Sequence, residues 1–229
     1  MGTIVYSNMK TKAFRIFSQV FGGWLQSEGF LYVGEGEYER KGLTCFHSLA
    51  FAPQKNSDFF DFSIGCGIRM PYVNELIASE YWDGHESTVG LPINKLIGRD
   101  YLVAWPYHDR SDLEKIKGEI VTIILSHCYP FFDRYSDPNE LFMWMSSTDN
   151  NHWFMHSGSS RGAVLVALCC YLKGADNALK LGIDLLRDFQ GRNPRFGEEL
   201  KRTIAKIESM CSSGEIGEYY SRHGCKHTN

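Results

Sequence analysis

The clearest chemical pattern in the chain is Gly158-Ser159-Ser160-Arg161-Gly162, which has the G-x-S-x-G spacing of a nucleophile elbow. In such an elbow a strained strand-to-helix turn lifts a serine hydroxyl clear of a parallel sheet, where a histidine can take its proton. A helical pattern does follow Ser160. Only the brief apolar run Trp153-Phe154-Met155 precedes it, however, and no earlier strand-helix-strand units supply a parallel sheet. The later histidines His223 and His227 fall in a polar C-terminal stretch that is expected to fray. A serine hydrolase using Ser160 is therefore kept as the alternative function, and the plainer reading makes Ser159 or Ser160 a helix N-cap.

Metal chemistry is argued the same way. His152 and His156 stand four residues apart and would align on one helical face, but only Trp153, Phe154 and Met155 lie between them, with no carboxylate at a usable spacing. Cys211, His223, Cys225 and His227 are suitable ligand types, yet His223-x-Cys225-x-His227 is more cramped than the usual paired-ligand spacing of zinc. Gly65-x-Gly67 lacks the Lys-Ser/Thr and the following helix of a phosphate loop. No catalytic residue, cofactor or metal is expected. What remains is a set of candidate partner-binding residues: Glu35, Glu37 and Glu39, with Trp82, Asp83 and Glu86 in an irregular stretch. Together they offer acidic charge and an aromatic anchor to a basic protein, and a merely solvated acidic face is the competing explanation.

Composition narrows the class further. The 229 residues are 43% hydrophobic and 22% charged, an ordinary globular balance, with an unusually large aromatic share of 14%. A net charge of -3 gives no general attraction to nucleic acid or anionic membranes, so neither is expected as a partner. Met1 to Ser7 lacks the basic and apolar regions of a secretory signal, and no apolar run reaches the ~18 residues of a membrane span. Seven scattered cysteines, an odd number, read as reduced thiols and predict a cytoplasmic location.

The elements that would position these residues follow from periodicity. Phe60, Phe62, Ile64, Cys66, Ile68 and Met70 alternate with Asp61, Ser63, Gly65, Gly67 and Arg69, which predicts a strand with one buried face over 59–70. Phe14, Phe17, Val20, Phe21, Trp24 and Leu25 predict an aromatic-faced helix from about Met9 to Glu28, closed by Gly29. Val33 to Gly36 reads as a turn, Glu37 to Arg40 as an extended segment, and Cys45 to Ala52 as a half-buried strand that Pro53 ends. The short link before Phe59 predicts an antiparallel hairpin. Residues 71–100 read as an irregular excursion, and Tyr101 to Trp105 as a strand closed by Pro106.

Ser111-Asp112-Leu113-Glu114 predicts a capping box for a helix that ends before Pro130, and Asp137-Pro138 opens another. Arg161 to Lys173 is apolar on nearly all sides. The next helix turns Leu179, Ile183, Leu186 and Phe189 inward, and Asn193-Pro194 opens a last one through Met210. The sum is a single α+β domain over 1–229: an N-terminal helix and an antiparallel sheet of about four to five strands (1–107), a helical half packed beside it (108–211) and a polar tail (212–229).

Several of these positions carry a resemblance. The Gly29-Phe30 helix ending, Tyr38-x-Arg40, Phe51 with Gln54-Lys55, Phe60-x-Phe62-x-Ile64-Gly65-x-Gly67-Ile68, and Leu172-x-Gly174 with Ala178 together resemble the bacterial domain-of-unknown-function family four-three-zero-four, over about residues 10–190. The shared positions are packing and turn residues, and no catalytic residues come with them. Similar small α+β proteins act as immunity proteins beside secreted toxins. The resemblance thus implies a cytosolic, non-catalytic protein that binds a protein partner, such as a cognate toxin; a structural or oligomerising role is the further alternative.

Overall fold

A computed structural model describes residues 2–55, 59–78, 87–101, 103–147, 158–190 and 197–225. The fold is α+β, with an N-terminal helix, an antiparallel sheet and a helical C-terminal half. By contact the chain divides into two compact units: Met1–Ile68 with Gly90–Asp133, and Arg69–Val89 with Arg134–Asn229.

The first unit is built on helix α1 (Gly2–Ser27) and a six-stranded sheet of β1 (Leu31–Gly34), β2 (Glu37–Lys41), β3 (Phe46–Lys55), β4 (Phe60–Arg69), β5 (Val89–Pro92) and β6 (Trp105–Tyr107). The order is β1-β2-β3-β4-β5, and β6 also pairs with β4. The alternation read from residues 59–70 holds: Phe62, Ile64, Cys66, Ile68 and Met70 are all buried. Their side of the sheet meets the aromatic face of α1, where the Phe17 ring lies 4.1 Å from Phe51 and 5.4 Å from Phe62 between centroids. Offset and edge-on aromatic contacts of this kind add to the area they bury. At the end of α1, Gly29 is left-handed at φ +82° and the Phe30 amide bonds back to the Leu25 carbonyl at 2.9 Å. That six-to-one bond is a Schellman ending, with Leu25 and Phe30 both buried beside it.

Two expected strand ends differ. β3 runs through Pro53 to Lys55, and the strand expected over Tyr101 to Trp105 is instead Trp105–Tyr107, with Pro106 inside it opposite Asp61. Proline's missing N–H is tolerated where the strand edge needs no donor at that position, so it does not mark the end of either strand. The expected irregular excursion over 71–100 holds the helical turn α2 (Pro71–Asn74), strand β5 and the turn α3 (Ile93–Leu96). Helix α4 (Arg110–Ile123) is capped two residues earlier than predicted: Asp109 accepts from the Ser111 amide at 2.7 Å, and Asp112 accepts from His108 at 3.0 Å. Nor does the helix stop before Pro130. A π-helical turn (Ile124–Cys128) carries it into α5 (Tyr129–Tyr135), because one extra residue per turn accommodates a proline that has no N–H to donate.

The second unit is helical. It contains α2, α6 (Pro138–Ser146), α7 (Gly158–Lys173), α8 (Ala175–Gln190), α9 (Glu198–Ser213) and α10 (Glu215–His223). Asp137 caps α6 as expected, accepting from the Asn139 amide at 2.8 Å. Ala163 to Cys170 are buried without a break, so α7 is the core around which α6, α8, α9 and α2 pack. Ile183 is 51% exposed, against the expectation that it faces inward. The buried line of α8 passes instead through Ala178 and Gly182, where the lack of a side chain brings α8 against Ile204 of α9. The stretch expected to fray from Ser212 instead forms α10, which buries Ile216, Tyr219 and Tyr220. Asn193 and Pro194 lie outside the described residues.

Candidate functional site

The surface that stands out belongs to the first unit. β1 ends the sheet order, and on it Leu31, Tyr32 and Val33 are 65%, 54% and 54% exposed in succession. A strand over a core normally alternates buried and exposed side chains; here all three stay exposed, with Tyr32 on the Tyr38 side of the sheet and Leu31 on the Glu39 side. Leu31 pairs with Glu39, Tyr32 with Tyr38 and Gly34 with Glu37, so the ladder skips a step between Tyr32 and Gly34, a β-bulge at Val33. The hairpin turns at Glu35-Gly36, both with positive φ (48° and 87°), the pattern of the two-residue turns that match strand twist. Gly36 is required for a second reason: a Cβ there would overlap the Phe14 ring and the Phe51 carbonyl.

Of the predicted partner-binding residues, the structure brings Glu35, Glu37 and Glu39 together on this hairpin. Glu35 is exposed at its tip, while Glu37 and Glu39 are half-buried on the side of β2 opposite Tyr38. Trp82, Asp83 and Glu86 lie outside the described residues. The three exposed apolar residues were not singled out from the sequence, which read Val33 to Gly36 as a turn. The usable signal was the run Leu31-Tyr32-Val33 standing directly before a Gly-Glu-Gly turn.

Behind the hairpin its inner face is tied down. Tyr38 is buried, exchanges a 3.0 Å hydrogen bond with the Ser18 hydroxyl and meets the Tyr32 ring edge-on at 5.2 Å. Burial raises the Tyr38 phenol above its ordinary pKa. Arg40 lies between the Phe30 and Tyr129 rings, 4.8 and 4.6 Å from their centroids, and donates to the Glu28 carbonyl and to His47 Nδ1. Since a guanidinium has only donors, Nδ1 is the acceptor and the neutral ring carries its proton on Nε2. The His47 ring stacks on Phe132 at 4.6 Å, and burial, then the nearby Arg40 charge, lower its pKa to about 4. The Tyr129 hydroxyl donates to Glu28 at 2.7 Å, and burial followed by that bond pushes it up to about 12. A neutral, buried imidazole held as an acceptor braces β2 against β3.

The other candidate chemistry is dispersed. Ser160 falls in the first turn of α7, the placement of its side chain lies outside the described residues, and so do His152, His156 and His227. The strands of the described sheet are antiparallel and end by Tyr107. His223 is fixed on α10, where its Nε2 bonds Glu75 at 2.9 Å while Arg222 holds the other carboxylate oxygen at 2.6 Å. Burial alone would raise Glu75, but the bonds from His223 and Arg222 outweigh it and hold the carboxyl below its usual range. Among the described residues no group of three or more His, Cys, Asp or Glu side chains is placed to hold a metal ion, and no helix is long and apolar enough to cross a membrane. All seven cysteines are free. No protein-family model matches the chain, and no curated protein or solved structure matches it either.

Proposed function

We propose that this is a non-catalytic binding protein that engages a basic protein partner through the β1–β2 edge. The observation that carries the reading is the row Leu31, Tyr32, Val33, more than half exposed on the last strand of the sheet and leading into the acidic tip at Glu35. Exposed apolar clusters with charged flanks mark interaction surfaces, because covering them removes oily area from water while the charges select the partner. The rigid backing of Tyr38, Arg40 and His47 supports the same reading, since a contact surface held in place loses little entropy on binding. The form we favour, on the residues that resemble family four-three-zero-four, is a cytoplasmic immunity protein that neutralises a bacterial toxin.

The test is to mix the purified protein with the product of a neighbouring toxin gene and follow the pair by size exclusion and titration calorimetry. A single co-eluting complex is expected, with Tyr32→Ala weakening it by about tenfold or more, the scale of an aromatic anchor. Two independently eluting peaks, or an affinity indifferent to Tyr32→Ala, would reject the proposal. Light scattering on the protein alone supplies the contrast: a mass that climbs with concentration and is lowered by Tyr32→Ala would assign the edge to self-association.

A further inference from the structure

A second feature lies in the core of the first unit, where two sulfurs meet. Cys66 on β4 and Cys128, the last residue of the π-helical turn, are buried at 3% and 0% exposure. Their thiols are hydrogen-bonded to each other, and the Leu91 amide on β5 also donates to the Cys66 sulfur. Burial, then the bond to Cys128, raises Cys66 well above the ordinary thiol pKa, so Cys66 keeps its hydrogen and Cys128 accepts it. Cys170, by contrast, bonds the Tyr220 hydroxyl at 3.4 Å. A buried cysteine by itself packs as a small hydrophobe. Two that are brought into sulfur-to-sulfur contact by elements far apart in the chain are placed to form a bond.

From this geometry we infer that Cys66 and Cys128 form a reversible disulfide when the protein meets hydrogen peroxide, a crosslink that ties the middle of the sheet to the π-helical turn. The sulfurs need only close from hydrogen-bonding contact to a bond of about 2.05 Å. β4 is held by ladders to β3 and β5, so the side that yields is the π-turn, a local insertion that helices carry mostly at functional positions. The chemistry balances in two steps. The Cys128 sulfur attacks one peroxide oxygen as the O–O bond breaks, leaving a sulfenic acid and one water. The Cys66 sulfur then attacks the Cys128 sulfur, the S–O bond breaks, and the hydroxyl departs with the Cys66 hydrogen as a second water. Two electrons pass from the sulfurs to peroxide, and an added thiol returns them. Peroxide is uncharged and little larger than water, so a local opening of the turn admits it, whereas glutathione disulfide is bulky and charged. None of this depends on what the β1–β2 edge binds.

The experiment treats the folded, reduced protein with hydrogen peroxide, quenches it in acid, alkylates the remaining thiols in denaturant and maps the peptides by mass. A linked Cys66–Cys128 peptide pair is expected, two hydrogens lighter than its parts and separated again by dithiothreitol. The urea midpoint is expected to rise on oxidation and fall back on reduction. Glutathione disulfide should leave both cysteines to the alkylating agent. Cys128→Ala should abolish the linked pair. Because that change also opens the core, Cys211→Ser/Cys225→Ser serves as the second variant: it removes the two thiols that are not buried and should crosslink as fast as the native chain. Recovery of Cys66 and Cys128 as separate alkylated thiols after peroxide, or as sulfinic acids, would overturn the inference. So would linkage formed equally fast with glutathione disulfide, which would place the reaction in unfolded chains, or linkage lost in Cys211→Ser/Cys225→Ser, which would trace it to exchange with surface thiols.

Discussion

His47 illustrates what a single side chain contributes. Its place on the buried face of β3 follows from strand alternation, since Cys45, His47, Leu49 and Phe51 are all buried. That Arg40 would donate to it, and that Phe132 would stack beneath it, could not be read from the sequence, because neither pairing has a periodicity. The consequence for pH is definite. With a pKa of about 4 in the folded protein and about 6.5 in the unfolded chain, only the unfolded chain binds a proton between those values. The His47 contribution to stability is therefore complete above pH 6.5, falls as pH drops toward 4 and is flat below it, up to about 3 kcal/mol in all. Urea unfolding measured from pH 7.5 to 4 should lose stability more steeply in the native protein than in His47→Gln, which keeps an acceptor for Arg40 but cannot titrate. Parallel curves would show that His47 does not govern that window.

Elements were legible where one face is uniformly buried and illegible where burial is conferred by a distant partner. The β4 alternation, the glycine ending of α1 and the all-round apolar α7 were open to reading because their signals are local. α10 was missed because its buried side consists of Ile216, Tyr219 and Tyr220 within an otherwise polar run, and its fastening comes from afar. Tyr219 donates to the Tyr72 carbonyl at 2.7 Å, and Arg222 and His223 grip Glu75. The misplaced inward face of α8 has a related cause: Gly182, invisible to a search for apolar side chains, marks its closest approach to α9. A Cβ there would stand 2.7 Å from Ile204 Cδ1. Replacing glycine by alanine inside a helix normally stabilises by about 0.5–1 kcal/mol. Gly182→Ala is expected to do the opposite, by about 1–3 kcal/mol of overpacking, with partial relief in Gly182→Ala/Ile204→Val. Thermal melts of the two variants check the sign; a stabilised Gly182→Ala would mean that α8 and α9 yield freely.

Across the whole molecule, charge and surface decide the company it keeps. The net charge of -3 and isoelectric point near 6.2 are mild, so attraction to a basic partner would come from the local group around Glu35, and nothing in the bulk composition indicated which surface would carry it. Association through the β1–β2 edge should accordingly slow about threefold or more as salt rises from roughly 50 to 500 mM, while dissociation changes little, because screening acts on the encounter and the apolar contact holds the complex. Stopped-flow traces at several ionic strengths would establish this, and an association rate indifferent to salt would remove the acidic residues from the contact.

The bulge at Val33 has one further consequence. A flat, oily border strand is a template on which identical chains can pile up into fibres, each copy hydrogen-bonding to the last. By throwing the ladder out of step between Tyr32 and Gly34, the bulge gives an incoming copy no straight rail to follow. The molecule can thus keep a greasy rim on display without polymerising along it.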